Sequence, residues 1–95
     1  MKYWKVKFAS LFERNLKGIS SRTIITKLDM KIKALREDPY VGKQLSPYNH
    51  LREIRIDTKY RLYYEIWEKQ QVIFLRAFYP RRLQKKYLRG RVEFV

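Results

Sequence analysis

The chain predicts an α+β fold: an N-terminal strand, two helices, an antiparallel meander of three strands and a short C-terminal helix. Two observations carry this. Apolar residues recur at helical spacing up to Leu35, and from Glu53 onward the period changes to two. The third observation is length. Ninety-five residues, 45% of them hydrophobic, supply one core and no second, so residues 1–95 are read as a single domain.

The elements follow in order. Trp4, Val6 and Phe8 alternate with Lys5 and Lys7, the pattern of a half-buried strand. Phe8, Phe12, Leu16 and Ile19 return at helical spacing, and Gly18 marks a stop. Ser20 or Ser21 can cap a second helix whose apolar stripe is Ile25, Leu28, Ile32 and Leu35. Asp38 ends it, because a residue before proline resists the helical conformation. Residues 39–49 read as a loop. Ile54 and Ile56 then share one face of a strand and Glu53 and Arg55 the other. After a tight turn at 57–59, Tyr60, Leu62, Tyr64 and Ile66 alternate with Arg61, Tyr63 and Glu65. Glu68-Lys69-Gln70 makes a hairpin turn, Val72 to Phe78 is the last strand, and Pro80 opens a helix carrying Arg81 to Leu88. Ile25, Leu28, Ile32, Leu35, Ile54, Leu62 and Tyr64 are the expected core.

Charge narrows the function. There are 23 Lys and Arg against 9 Asp and Glu, a net +14. Such an excess opposes a compact fold by self-repulsion and points to a polyanionic partner. Arginine is concentrated late, three before Asn49 and eight after it, and Arg76 to Arg91 holds seven basic residues and no acidic one. The planar guanidinium fork suits phosphate oxygens. Several chemistries are excluded. With no cysteine and one histidine, His50, the chain has neither a zinc set nor a Cys–His nucleophile. Three scattered glycines make no phosphate loop, and no carboxylates stand at metal-binding spacing, so neither a metal nor a cofactor is expected. No apolar stretch approaches the ~20 residues of a membrane span. The N-terminus lacks a signal-peptide core, and the expected compartment is the cytoplasm.

The remaining cluster is basic and aromatic. Arg55 and Arg61 fall on neighbouring strands, on the face opposite the apolar residues, with Arg81 after the last strand and Tyr87 six residues on. Such a group could cleave RNA through its own 2′-OH: guanidinium groups stabilise charge on the phosphate, and a tyrosine ring stacks the base. Alternatively, Arg55 and Arg61 pair with Glu53 and Glu65, and the tyrosines are packing residues.

The runs LREIRIDTKYRLYYEI (51–66), QVIFLRAFYPRRLQKKY (71–87) and KALREDPYVGKQL (33–45) resemble the RelE/ParE toxin superfamily of toxin–antitoxin modules, over roughly residues 25 to 88. The resemblance implies a RelE-like, microbial-RNase-type sheet. It also implies a metal-independent ribonuclease that enters the ribosomal A site and cuts mRNA by 2′-OH attack. By the same resemblance Arg55, Arg61, Arg81 and Tyr87 are catalytic, and an acidic, helical antitoxin is the partner, with ribosome and mRNA as targets. Arg52, Arg76, Arg82, Lys85 and Lys86 are expected to contact RNA. RelE-type enzymes carry two lysines two residues apart before the turn. Here Arg52 and Arg55 stand three apart, on opposite faces of a regular strand. Arginine does not give up its proton, so Glu53, on the face of Arg55, becomes the candidate general base. The alternatives are a ParE-like inhibitor of DNA gyrase that is not an enzyme, and a degenerate member that binds RNA or ribosomes without cutting.

If phosphate contacts dominate binding, affinity for RNA or ribosomes should fall by orders of magnitude between about 50 and 200 mM salt. A filter-binding titration checks this; affinity indifferent to salt would make the charge a property of the surface alone.

Overall fold

The computed structural model describes residues 3–45 and 50–80. Its elements are β1 (Lys5–Phe8), α1 (Ser10–Lys17), α2 (Arg22–Glu37), a 3₁₀ turn (Pro39–Val41), β2 (Lys43–Gln44), β3 (Arg52–Arg55), β4 (Tyr60–Trp67) and β5 (Val72–Pro80). The α+β class and the order of the helices and longer strands are those expected; the 3₁₀ turn and β2 fall in the segment read as a loop. The helix proposed after Pro80 lies outside the described residues.

Local chemistry sets the helix ends. Ser21 is the N-cap of α2, its Oγ accepting from Ile24 N–H at 3.3 Å. That start sets the helix phase so that Ile24, Leu28 and Leu35 are buried, while Ile25 and Ile32 are half-buried. The expected stripe was one residue out at its first position. Asp38 closes α2 in an extended conformation, and its carboxylate accepts from Tyr40 N–H at 3.1 Å, which starts the 3₁₀ turn.

The five strands form one sheet in the order β1-β5-β4-β3-β2. The pairs β2–β3, β3–β4 and β4–β5 are antiparallel, but β1 runs parallel to β5, from Lys5 opposite Val72 to Phe8 opposite Leu75. The sheet is therefore mixed rather than wholly antiparallel. Hairpin turns impose antiparallel pairing only on the strands they join. No turn links β1 to β5, and their direction is set by how the helices return the chain. β1 also leans on α2: Trp4 N–H donates to Arg36 O and Arg36 Nε to Trp4 O, each at 2.9 Å.

Helix residues Phe12, Ile24, Leu28 and Leu35 form one core with Ile56, Leu62, Tyr64, Ile73, Leu75 and Phe78. On the opposite face Leu45, Leu51, Tyr63 and Ala77 make a smaller cluster, to which α1 adds Leu11. Ile54, expected in the core, is half-buried at the edge of the main cluster, and Ile56 takes the buried place. A register shift between Tyr63 and Tyr64 leaves Arg76 as an extra residue on β5. Leu75 and Phe78 both reach the helix-side core across it.

Residues 39–45, read from sequence as an irregular loop, are tied to the sheet. The buried Tyr64 hydroxyl donates to Pro39 O at 2.7 Å and accepts from Gly42 N–H at 3.0 Å. Burial pushes this phenol up to about 12, and it stays protonated. A Cβ at Gly42 would collide with the hydroxyl and ring of Tyr64, which is why glycine is required here.

Tyr64→Phe should strand two buried backbone groups and lower unfolding stability by about 1–3 kcal/mol. Gly42→Ala should cost at least as much, because its Cβ would meet the fully buried Tyr64 ring. Denaturant melts of both variants against the parent check this.

Candidate functional site

The hairpin β3–β4 builds one end of the sheet face opposite α2. Asp57 shapes its turn: Oδ1 accepts from Lys59 N–H at 2.8 Å and Tyr60 N–H at 2.9 Å. The Tyr60 bond above all holds the Asp57 carboxyl below its usual range. The register then sets Arg55 opposite Arg61 and Glu53 opposite Tyr63. β5 ends beside them, with Tyr79 opposite Arg61 and Pro80 opposite Tyr60. The described structure stops at this point. Arg81, Arg82, Lys85, Lys86 and Tyr87 lie outside it.

Arg55 is exposed, as expected. Arg61 is not: it is 5% exposed, which corrects its assignment to an open surface. The strand alternation was right, but β4 is central and covered on both faces. Arg61 Nη1 donates to Asp57 O at 3.1 Å and Tyr60 O at 3.2 Å, and Nε lies 4.0 Å from Glu53 Oε1. The guanidinium is thus held in one orientation beside a carboxylate. Glu53 is itself mostly covered. Its Oε2 is buried and has no hydrogen-bond partner among the described residues. A carboxylate beside a fixed cation has proton-accepting chemistry, but the buried Oε2 must be uncovered to meet a ligand hydroxyl.

Arg52 and Arg76 are engaged within the fold. Arg52 sits on the other face from Arg55, as their spacing requires. Its Nη1 donates to Gly42 O at 2.8 Å and Tyr40 O at 3.2 Å, and the guanidinium stands over the Tyr40 ring. Arg76, the residue at the register shift, pairs with Glu65 at 3.3 Å and lies over Phe74. The RNA contacts expected of these two rest on their charge alone. Of the two ion pairs weighed from sequence, Arg61 does meet Glu53, but Glu65 takes Arg76 instead of either hairpin arginine.

A feature with no local signal in the sequence lies at the far end of β4. Tyr40, Gln44, His50, Arg52, Glu65, Ile66, Trp67 and Glu68 line a cleft of about 350 Å³. His50 is exposed on its wall, as a surface histidine. Partial desolvation, then the neighbouring Glu68 carboxylate, holds the Tyr40 phenol above its usual value. Among the described residues no group of three His, Asp or Glu could hold a metal ion, and no helix is long and apolar enough to cross a membrane.

Two helices against a five-strand sheet with a parallel edge strand is the frame of the RelE-like toxins. The free E. coli RelE toxin, solved as a double mutant, superposes with a TM-score of 0.76 at 19% identity over 92% of each chain. The RelBE2 toxin–antitoxin complex of Mycobacterium tuberculosis gives 0.71 at 22% identity, covering 83% of this chain and 99% of that one. The archaeal RelE–RelB complex of Pyrococcus horikoshii OT3 gives 0.69 at 20%, covering 85% and 97%. In sequence, residues 6–83 match the family described as the ParE toxin of the type II toxin–antitoxin system, parDE. The chain belongs to that family, and it is a toxin of the RelE/ParE superfamily. No curated protein matches it in sequence.

Because Arg61 satisfies two turn carbonyls and balances Glu53, Arg61→Ala should unfold more easily than the parent, by about 1–3 kcal/mol. Arg55→Ala should change stability by no more than about 0.5 kcal/mol. Thermal melts of the two variants separate the held arginine from the displayed one.

Proposed function

We propose that this toxin is a metal-independent endoribonuclease that cuts mRNA in the ribosomal A site. The observation that carries the reading is the Glu53–Arg61 couple. A shielded carboxylate oxygen and an oriented guanidinium lie beside exposed Arg55, where β5 delivers the chain to Arg81. In the reaction Glu53 takes the proton of the 2′-OH as that oxygen attacks the adjacent phosphorus. Arg61, Arg55 and Arg81 stabilise the charge gathering on the phosphate oxygens. The bond to the 5′-oxygen breaks and that oxygen gains a proton, leaving a 2′,3′-cyclic phosphate and a 5′-hydroxyl. Tyr87 stacks the base and keeps the phosphate in line. Arg82, Lys85 and Lys86 hold the RNA backbone. The enzyme acts in the cytoplasm, and an acidic, helical antitoxin neutralises it. Likeness to proteins solved as RelBE and RelE–RelB complexes supports that partner.

The second reading, inhibition of DNA gyrase without catalysis, is favoured by the family match to ParE toxins. In vitro translation with primer extension on the message decides between them. Codon-positioned cuts are expected. Glu53→Gln should slow them by roughly 10²-fold through loss of the base, and Arg81→Ala by about as much through loss of one donor. Arg61→Lys, which keeps the charge but loses the fork, should retain only part of the rate. Intact message with stalled replication would transfer the assignment to gyrase. Ribosome binding without cuts would make this a degenerate member.

A further inference from the structure

The cleft at the far end of β4 belongs to neither core nor to the Glu53–Arg61 couple. From Arg61 to Trp67 the strand advances about 20 Å. The two aromatic rings of the cleft are fixed by different means. Trp67 is stacked on Phe74, with centroids 4.7 Å apart, and its Nε1–H donates to Glu65 Oε1 at 3.1 Å. Tyr40 is carried by the 3₁₀ turn that Tyr64 ties down, and Arg52 stands over its ring at 5.4 Å. A cavity whose rings are already held by such contacts loses less entropy on binding.

Charge decides what can enter. Glu65 and Glu68 line the cleft in a chain of net +14. Glu65 is balanced by Arg76, and the Glu68 carboxylate opposes a phosphate, so a nucleotide backbone would keep to the basic surface outside. A partner's cationic side chain is disfavoured as well, because Arg52 already occupies the Tyr40 face and Glu65 is engaged by Arg76. A flat, neutral, hydrogen-bonding group fits: it can stack on an aromatic wall and donate to Glu68, whose carboxylate also takes a hydrogen bond from Tyr40. A nucleobase with an exocyclic amino group has that chemistry, since carboxylates accept from such amino groups and unstacked bases lie on aromatic side chains.

We infer that the cleft of Tyr40, His50, Trp67 and Glu68 is a second, base-binding subsite for single-stranded RNA, selective for an amino-bearing base over uracil. The inference rests on RNA being the ligand of this toxin. The subsite would hold a nucleotide a few residues along the strand from the bond that is cut. It gives the enzyme a means of reading sequence that the phosphate contacts cannot supply.

The test uses the full chain and neutral nucleosides, which the net charge does not attract. Nuclear magnetic resonance follows the indole N–H signals of Trp4 and Trp67, assigned with Trp4→Phe. Cytidine and adenosine should shift the Trp67 signal saturably, with uridine about tenfold weaker. Glu68→Gln should erase that tenfold preference, and His50→Ala should weaken all nucleosides; both positions are exposed and tolerate change. A Trp67 signal that no nucleoside moves overturns the subsite. So does movement with N-acetylarginine amide in place of nucleosides. Message cleavage by the parent is scored separately. A cutting parent with a silent Trp67 removes only the subsite, and a nucleoside-binding parent that does not cut removes only the ribonuclease reading.

Discussion

Both faces of β4 are covered, and four consecutive residues, Arg61 to Tyr64, are buried as a result. Leu62 and Tyr64 meet the helices, while Arg61 and Tyr63 turn to the other side. A strand in this position must satisfy every polar group it carries within the protein. Arg61 does so on the carbonyls of its own turn and beside Glu53, and Tyr64 on the backbone of residues 39–42. The first requirement shapes the candidate site at one end of the strand, and the second holds the wall of the cleft at the other.

The positive charge is handled in two ways. Some cations are absorbed: Arg52 by the carbonyls of the 3₁₀ segment, Arg36 by Trp4, Arg76 by Glu65, Arg61 by its turn. Arg52 and Arg61 each donate to two carbonyls, a geometry that a lysine would reproduce poorly. Others stay open, Arg55 among them. Residue type alone does not separate a structural arginine from a binding one. The separation depends on whether backbone carbonyls lie within reach, and these are gathered from segments distant in sequence.

Glu53 illustrates the same point for the candidate site. Its neighbours in sequence are cationic and apolar, and nothing in that spacing says which oxygen is shielded. Only the register, with Glu53 opposite Tyr63 and Arg55 opposite Arg61, brings the carboxylate within 4.0 Å of the guanidinium and covers Oε2. A one-residue slip would have turned both to the helix side.

By itself the sequence determined what depends on short-range chemistry and on sums over the chain. The α+β class follows from a period of 3.6 giving way to two, the end of α2 from Asp38-Pro39, and the hairpin turn from residues 57–59. It also determined the family, through runs of residues that pair across adjacent strands. Tertiary structure decided the rest. The parallel pairing of β1 with β5 joins segments that no turn connects. The burial of Arg61 follows from its strand being central, and the register shift at Arg76 from how β5 must meet both faces of β4. The cleft joins Tyr40 to Trp67 across the sheet edge. Each of these depends on which distant segments become neighbours, and hydrophobic periodicity reports only which side of an element is apolar, not what covers it.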